Sequence, residues 1–226
     1  MDLTLFDLDN TLLAGDSDFS WAQFLISKGL LDRELHEAKN RQFYDNYLAG
    51  TLDIQSFLAF QLAPLTRHDR AELEALRREF LTEVIAPMML PKACTTVAQA
   101  LTRGDLVAVV TATNAFVTGP IARAFGIEHL IATIPEVVNG RFTGRARGIP
   151  AFQAGKIVRV ENWLESLGYW WSSFATIRFY SDSHNDLPLL ERVDEPIAVD
   201  PDPLLRATAE RNGWMILSFR DSKEKA

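Results

Sequence analysis

Short apolar segments without polar alternation recur along the chain and predict buried strands. They lie at residues 3–8, 106–111, 130–133, 176–180, 197–199 and 214–217. Continuous apolar runs of this length are typical of strands covered on both faces, as in a parallel sheet. Segments with helical spacing of apolar residues lie between most of these strands, at 95–101, 116–125, 156–167, 187–193 and 203–211. This alternation predicts an α/β fold with a doubly wound parallel sheet.

The stretch from residue 16 to residue 86 interrupts the alternation. No apolar segment in it predicts a strand, and its apolar residues recur at helical spacing, as in Ile54, Phe57 and Leu58. We therefore predict an all-helical cap domain at 16–86, inserted between the first and second strands of a Rossmann-like catalytic core formed by 1–15 and 87–226. Most aromatic residues of the insertion are expected to pack its interior: Trp21, Phe43, Tyr44, Phe57 and Phe60.

Composition places the chain among ordinary globular proteins and limits the kinds of partner that it is expected to bind. Of 226 residues, 47% are hydrophobic and 23% charged, and the formal net charge of −7 disfavours a nucleic-acid partner. Cys94 is the single cysteine, which excludes an intrachain disulfide and agrees with a cytoplasmic location. No signal peptide and no apolar run long enough to span a membrane are expected. The oligomeric state stays open.

Two carboxylates follow the first predicted strand, Asp7 and Asp9 in the run Phe6-Asp7-Leu8-Asp9-Asn10-Thr11. Open α/β sheets bind ligands beyond the carboxyl ends of their strands, and buried carboxylates need a cation or hydrogen-bond donors. An Asp-Asn-Thr sequence also suits a turn or a helix start. This motif alone therefore leaves both a catalytic site and a capped turn open.

A second acidic pair, Asp182 and Asp186, follows the strand predicted at 176–180. Four carboxylates at two strand ends form an oxygen-rich site suited to Mg²⁺, which takes few protein ligands and keeps water and substrate oxygens. One acidic strand end is readily explained as a helix cap. Two such ends in one sheet favour a metal site.

The candidate phosphate ligands are weaker signals when each is taken alone. Thr111 ends the second predicted strand and precedes Ala112, Thr113 and Asn114, whose backbone N–H groups enter a helix and can hold phosphate. Ordinary helix capping is the alternative for this hydroxyl. Lys156 lies near a predicted helix start, where a cation opposes the macrodipole. That mild disadvantage is evidence for a role such as holding phosphate, although a solvated surface position is the default interpretation for any single lysine.

Together these motifs resemble the four motifs of the haloacid dehalogenase superfamily, in the expected order and across residues 7–186. The predicted helical insertion is similar to the cap of the phosphoserine phosphatase-like branch. So is the run Asn139-Gly140-Arg141-Phe142-Thr143-Gly144, which looks like a hairpin before Lys156. Within that branch the chain is similar to histidinol-phosphatase-like and phosphatidylglycerophosphatase-like hydrolases.

The resemblance implies covalent catalysis assisted by Mg²⁺. Asp7 would attack phosphorus and become an aspartyl phosphate, and Asp9 would protonate the leaving alcohol and later activate water. The side chains of Asp7 and Asp182 and the backbone carbonyl of Asp9 would hold the metal. The resemblance also implies phosphate-binding and supporting positions: Thr111, Ala112, Lys156, Asp186 and Asn185.

Two further positions are candidates for substrate selection. Asp16 lies where phosphoserine phosphatases carry a glutamate that binds the substrate amine, and Arg41 could reach a substrate from the cap. A helix cap at Asp16 and a solvated Arg41 are the alternatives. The segment 148–152 differs from the polar stretch of phosphoserine phosphatases, which counts against phosphoserine. His184 falls at a variable motif position and is given no catalytic role.

The resemblance therefore implies a Mg²⁺-dependent phosphomonoesterase acting on a small phosphorylated metabolite similar to phosphoserine or histidinol phosphate. Three alternatives stay open at this stage: a lipid-phosphate phosphatase at a membrane surface, a phosphotransferase that passes the phosphoryl group to an alcohol, and a non-catalytic module that binds a phosphorylated ligand.

Overall fold

A computed structural model describes residues 1–48, 51 and 53–220, apart from the side chains of residues 44, 47 and 48. Its strands are β1 (Leu3–Phe6), β2 (Leu106–Asn114), β3 (His129–Val138), β4 (Arg141–Arg147), β5 (Ile177–Ser181), β6 (Glu195–Val199) and β7 (Met215–Leu217). Its helices are α1 (Ser17–Ser27), α2 (Arg33–Leu48), α3 (Ile54–Leu62), α4 (Arg70–Phe80), α5 (Ala86–Met88), α6 (Pro91–Thr102), α7 (Ala115–Ala124), α8 (Ala154–Ser166), α9 (Leu187–Leu190) and α10 (Pro203–Asn212).

The strands form one sheet in the order β4-β3-β2-β1-β5-β6-β7. All neighbours are parallel except β3 and β4. Successive β2 residues alternate between two buried apolar clusters, with Val109 in one and Ala108 in the other, so both faces of the sheet are covered. The predicted α/β fold with a doubly wound sheet is confirmed.

The register of the central strands brings the motif residues to one edge of the sheet. Phe6 at the end of β1 lies opposite Val109 of β2 and Tyr180 of β5. The residues that follow these strands therefore emerge side by side at the carboxyl edge. This is where ligands bind in open α/β sheets.

The hairpin before α8 is present and extends the sheet by one antiparallel strand. β3 and β4 are joined through Asn139 and Gly140, whose φ angles are 50° and 76°. Asn-Gly suits a two-residue hairpin turn because both positions need positive φ. The sheet is thus mixed at this edge, whereas the apolar pattern predicted only parallel strands.

The helices from α1 to α5 lie between β1 and β2, as predicted. Their aromatic residues pack together, with the Trp21 ring centroid 5.2 Å from that of Phe80. Both rings belong to the same buried cluster as Val107 and Val109 of β2. The insertion therefore shares an apolar core with one face of the sheet, and its division into a separate domain at 16–86 stays a prediction.

The helix predicted at 187–193 is shorter in the structure. A 3₁₀ turn at His184–Asp186 leads into α9, which ends at Leu190. The backbone N–H of Asp194 bonds to the carbonyl of Ile177, so the chain has already turned back toward the sheet at this point. Among the described residues, no helix is long and apolar enough to cross a membrane.

Candidate active site

Lys156 connects the first and last motifs. Its Nζ lies 2.8 Å from Oδ1 of Asp7 and 2.7 Å from the carboxylate of Asp186, and its side chain is buried. The hydroxyl of Ser181 donates a 2.7 Å bond to the same Asp186 carboxylate. Burial alone would lower the pKa of Lys156, but Asp186 and Asp7 raise it above its usual range. The ammonium group is therefore charged and held between two loops.

Asp9 has a different environment from Asp7, because neutral donors hold it. Its Oδ1 accepts a 2.7 Å bond from the backbone N–H of Ser17 at the start of α1, and its Oδ2 accepts bonds from the hydroxyls of Thr113 at 2.8 Å and Thr111 at 3.4 Å. Burial and the nearby Asp16 raise the pKa of Asp9 to about 6, although these hydrogen bonds lower it. The two carboxylates of the first motif thus have separate partners.

Thr11 lies between Asp7 and Asp182. Its hydroxyl is 3.2 Å from Oδ1 of Asp182 and 3.4 Å from Oδ2 of Asp7. Burial, together with repulsion from Asp186 and Asp9, raises the pKa of Asp7 to about 7 despite its contact with Lys156. Burial and repulsion from Asp7 raise the pKa of Asp182 well above its ordinary value. The positive charge near Asp7 and Asp182 is therefore too small to balance the negative charge of the two ionised carboxylates.

The oxygen donors at Asp7 and Asp182 fit a hard divalent cation. No group of three or more carboxylate, imidazole or thiol side chains in the described part of the chain is arranged to hold a metal. Mg²⁺ does not need such a group, since one or two carboxylates, backbone carbonyls, water and phosphate oxygens complete its coordination. The donor set and the unbalanced negative charge therefore suit Mg²⁺ better than a metal that requires nitrogen or sulfur ligands.

A cavity of about 520 Å³ opens above these residues. Its floor is formed by the motif loops, and six aspartates line it: Asp7, Asp9, Asp16, Asp18, Asp182 and Asp186. Lys156 is the only lysine or arginine among the described residues of the lining. The site is therefore strongly acidic before any cation binds.

The opposite wall of the cavity comes from the helical insertion and is largely apolar. It includes Phe19 of α1, Phe43 of α2 and Phe57 of α3, with the rings of Phe43 and Phe57 5.5 Å apart. Asn40 and Gln61 add two amide side chains to this wall. A ligand in the cavity thus meets carboxylates on one side and aromatic rings and amides on the other.

Comparison with known proteins decides the family. The family model described as haloacid dehalogenase-like hydrolase matches residues 4–191, which is most of the chain and includes every motif residue described above. The chain belongs to this family. The predicted superfamily and the predicted phosphatase class of enzyme are confirmed.

Several relatives of this haloacid dehalogenase-like hydrolase span nearly its whole length. It is 45% identical over 219 residues to a histidinol-phosphatase from Neisseria meningitidis serogroup C, covering 96% of this chain and 99% of the relative. A solved structure of a protein of unknown function from Bordetella pertussis Tohama I is 46% identical, with a TM-score of 0.93 and coverage of 97% and 99% of the two chains. A phospho-aspartyl intermediate analogue of phosphoserine phosphatase shares the fold, with 19% identity, a TM-score of 0.67 and coverage of 99% and 95%.

Most of the site residues expected from the sequence of this hydrolase meet in the cavity. The lining contains the expected motif positions Asp7, Asp9, Thr111, Ala112, Lys156, Asp182, Asn185 and Asp186. Asp16 lines the mouth and also caps α1, where it accepts a 2.8 Å bond from the N–H of Phe19. Arg41 is exposed and is not among the described residues that line the cavity. The structure thus does not bring Arg41 to the site, and its role stays a prediction.

Sequence reasoning gave no role to the side chains of three hydroxyl residues that contact the motif carboxylates of this hydrolase: Thr11, Thr113 and Ser181. Each lies within two residues of a motif position, so proximity in sequence was the available signal. Sequence reasoning expected Phe43 and Phe57 to pack the interior of the insertion; their rings do contact each other there, and both also line the cavity. The side chain of Tyr44, expected in the same interior, lies outside the described residues.

Proposed function

We propose that this protein is a Mg²⁺-dependent phosphomonoesterase whose substrate carries a cationic group and a ring, with histidinol phosphate as the leading candidate. The observation that carries the catalytic part is the separation of Asp7 from Asp9. Asp7 is paired with a buried ammonium group, while Asp9 is held by a backbone N–H and hydroxyls. Two carboxylates in different environments can take different roles in one reaction.

Asp7 is the proposed nucleophile. Its carboxylate attacks the phosphorus of the ester, the bond from phosphorus to the alcohol oxygen breaks, and an aspartyl phosphate forms. Lys156 donates a 2.8 Å bond to Oδ1, which fixes the rotation of the Asp7 carboxylate and leaves Oδ2 near the Thr11 hydroxyl. The charged ammonium of Lys156 also stabilises the negative oxygens of the phosphoryl group as it transfers.

Asp9 is the proposed general acid and base. It gives its proton to the departing alcohol oxygen and then takes one from the water that attacks the aspartyl phosphate, so inorganic phosphate leaves and Asp7 is restored. The bonds from Ser17 and Thr113 hold the Asp9 carboxylate beside the cavity between these steps. The proton balance closes over the two half-reactions.

The proposed metal and phosphate ligands are those that the family resemblance implies. The Asp7 and Asp182 carboxylates and the Asp9 carbonyl would hold Mg²⁺, which when bound supplies positive charge for the attacking carboxylate and the phosphoryl oxygens. The Thr111 hydroxyl and the backbone N–H of Ala112 would bind the phosphoryl oxygens. Asp186 and Asn185 support this arrangement from the loop after β5, Asp186 by its contact with Lys156.

The charge of the cavity supports a cationic substrate. Even with Asp9 protonated as the general acid, the other five aspartates and one lysine leave an excess of negative charge after a divalent cation and a phosphate dianion are added. Histidinol phosphate carries an ammonium group and an imidazole ring beside its phosphate ester. Phosphoserine carries a carboxylate as well, and the described lining offers that carboxylate no cation except Lys156, which two aspartates already occupy.

The side chains on the helical wall of the cavity support a substrate that contains an imidazole ring. Phe43 and Phe57 stand edge to face with their centroids 5.5 Å apart and present an aromatic surface against which an imidazole could pack. Asn40 and Gln61 can donate to one ring nitrogen and accept from the other. The 45% identity to a histidinol-phosphatase agrees with this choice of substrate.

A panel of phosphate esters tests the proposal. The purified protein with Mg²⁺ is expected to hydrolyse histidinol phosphate with a higher kcat/KM than phosphoserine or para-nitrophenyl phosphate, because that ratio measures discrimination. Absence of turnover on every ester would refute the phosphatase function. Preference for phosphatidylglycerophosphate in vesicles over all soluble esters would instead favour the lipid-phosphate alternative.

The nucleophile has its own test in Asp7→Asn. The variant is expected to lose turnover while keeping its fold, since an amide does not attack phosphorus. A matched exposed change, Asp45→Asn on α2, should leave activity unchanged. Substantial turnover by Asp7→Asn would remove Asp7 from the proposed role.

A further inference from the structure

The turn that precedes α8 contains an unusual residue for its backbone conformation. The backbone N–H of Gly155 donates a 2.9 Å bond to the carbonyl of Phe152, which closes a four-residue turn. Gln153 is the first central residue, with φ of 49° and ψ of −128°. These angles are those of a type II′ turn, in which glycine is the usual residue at this position. A glutamine here is strained.

The same turn determines where α8 begins and therefore where Lys156 lies. The N–H of Lys156 bonds to the carbonyl of Gln153 at 3.0 Å, in the first turn of α8. A Cβ atom on Gly155 would lie 2.2 Å from the carbonyl oxygen of Pro150, so the backbone is closely packed at this point. A shift in the turn would therefore move the lysine that contacts Asp7 and Asp186.

The side chain of Gln153 connects this turn to the loop after β5. Its Nε2 donates a 3.2 Å bond to Oδ1 of Asn185, the residue before Asp186. The two loops are thus joined twice, once by this amide pair and once by the contact of Lys156 with Asp186. Gln153 is exposed and is not among the described residues that line the cavity. Neither burial nor substrate contact explains a strained glutamine at this position.

We propose that Gln153 is a positioning residue that holds the loop before α8 against the loop after β5, so that the Lys156 ammonium stays aligned with Asp7 and the transferring phosphoryl group. Strained backbone conformations persist where the surrounding structure and function maintain them. A glycine would relieve the strain but would lose the connection to Asn185. The proposal rests on the proposed function, because it assigns Lys156 to the phosphoryl group.

Two substitutions separate backbone strain from the side-chain contact. Gln153→Gly is expected to raise Tm by a few degrees, since glycine adopts these angles freely, and to lower kcat about tenfold. Gln153→Met keeps the length of the side chain and removes the donor, so kcat should fall similarly without a gain in Tm. KM for para-nitrophenyl phosphate should change less than twofold in both variants. A residue with only a structural role would not lower kcat while stabilising the fold.

Two control variants match these changes away from the site. Asn139→Gly relieves a φ of 50° in the β3–β4 turn and should leave kcat unchanged. Gln99→Met changes an exposed glutamine of α6 and should alter neither kcat nor Tm. If both Gln153 variants keep kcat within twofold of the wild type, the positioning role is overturned while the proposed function stands.

Failure of the proposed function has a different signature, namely a wild-type protein that hydrolyses no ester. In that case the affinity for orthovanadate, an analogue of the phosphoryl group in transfer, tests the position of Lys156 without turnover. With Mg²⁺, calorimetry should show vanadate bound about tenfold more weakly by Gln153→Met than by the wild type. Equal affinities would overturn the proposal in this assay as well.

Discussion

Replacement of Lys156 by methionine removes the only basic side chain of the described cavity lining. It leaves the carboxylates of Asp7 and Asp186 without the ammonium group that they share. The lysine is 3% exposed and contacts Asp7 at 2.8 Å and Asp186 at 2.7 Å. Methionine fills a similar volume, so the packing loss is small and the lost charge dominates. Breaking a buried pair by removing one partner typically costs about 3–5 kcal/mol.

The pH dependence of this cost can be worked out because Asp7, without the ammonium group, can take up a proton. Relative to an unfolded pKa near 4, protonation at pH 7 costs about 4 kcal/mol, since each pH unit is worth about 1.4 kcal/mol. At pH 5 the same step costs about 1.5 kcal/mol. Burial and repulsion from neighbouring carboxylates raise the pKa of Asp7 to about 7 even beside Lys156, and loss of the ammonium raises it further, so the stability of the folded variant is retained at low pH and lost as pH rises. The destabilisation of Lys156→Met should therefore be at least twofold smaller at pH 5 than at pH 7.

The assay is urea unfolding of the wild type and Lys156→Met at both pH values, with a chelator to keep metal out. Lys39→Met, which alters an exposed lysine of α2, controls for the loss of one positive charge. A destabilisation below about 1 kcal/mol at pH 7, or one that is equal at both pH values, would refute the reasoning. With Mg²⁺ present, kcat of Lys156→Met is expected to fall by about 10²–10³-fold.

Three further predictions follow from the site. The pKa of Asp7 is raised to about 7 and that of Asp182 is raised as well, so protons compete with Mg²⁺ for these carboxylates. The rise in Tm on adding Mg²⁺ should therefore be larger at pH 8 than at pH 5.5. Equal rises at the two pH values would contradict this prediction. Thr113→Val removes the 2.8 Å bond to Asp9 and should lower kcat about tenfold for every ester, and unchanged kcat would exclude a role for this hydroxyl. Burial raises the pKa of the Asp18 carboxyl well above its ordinary value, and an adjacent substrate cation would favour its ionised form. Asp18→Asn should therefore lower kcat/KM about tenfold for histidinol phosphate but not for para-nitrophenyl phosphate, because only the former carries a cation. An equal loss on both esters would place Asp18 outside substrate selection.

The sheet and the motif loops could be predicted closely from the sequence, because both depend on local signals. Strands buried on both faces leave uninterrupted apolar runs such as 106–111, and the expected segments coincide with β1, β2, β3, β5, β6 and β7 within a few residues. Parallel pairing then places Asp7, Thr111 and Asp182 at the same edge, since the carboxyl ends of parallel strands coincide there. The hairpin at Asn139 and Gly140 was expected from the family resemblance, and the Asn-Gly pair suits its turn.

The roles of individual side chains could not be predicted in the same way. The bond from Thr113 to Asp9 and the position of Thr11 between Asp7 and Asp182 depend on distances between separate loops. Arg41 and Phe43 belong to the same turn of α2, yet only Phe43 lines the cavity. A helical pattern shows that one face of α2 is apolar, but it does not show whether that face packs a core or borders a cavity.

The sequence by itself determined the order of the elements, the acidic ends of β1 and β5 and therefore the family of the enzyme, because these features follow from residue type and spacing along the chain. Only the tertiary structure decided which carboxylate is paired with Lys156, which carboxylate is held by neutral donors, and which helical residues line the cavity. Those choices depend on packing between segments more than 100 residues apart, such as Thr113 and Asp9. Charge, burial and hydrogen bonding at the site are products of that packing, and no local pattern contains them.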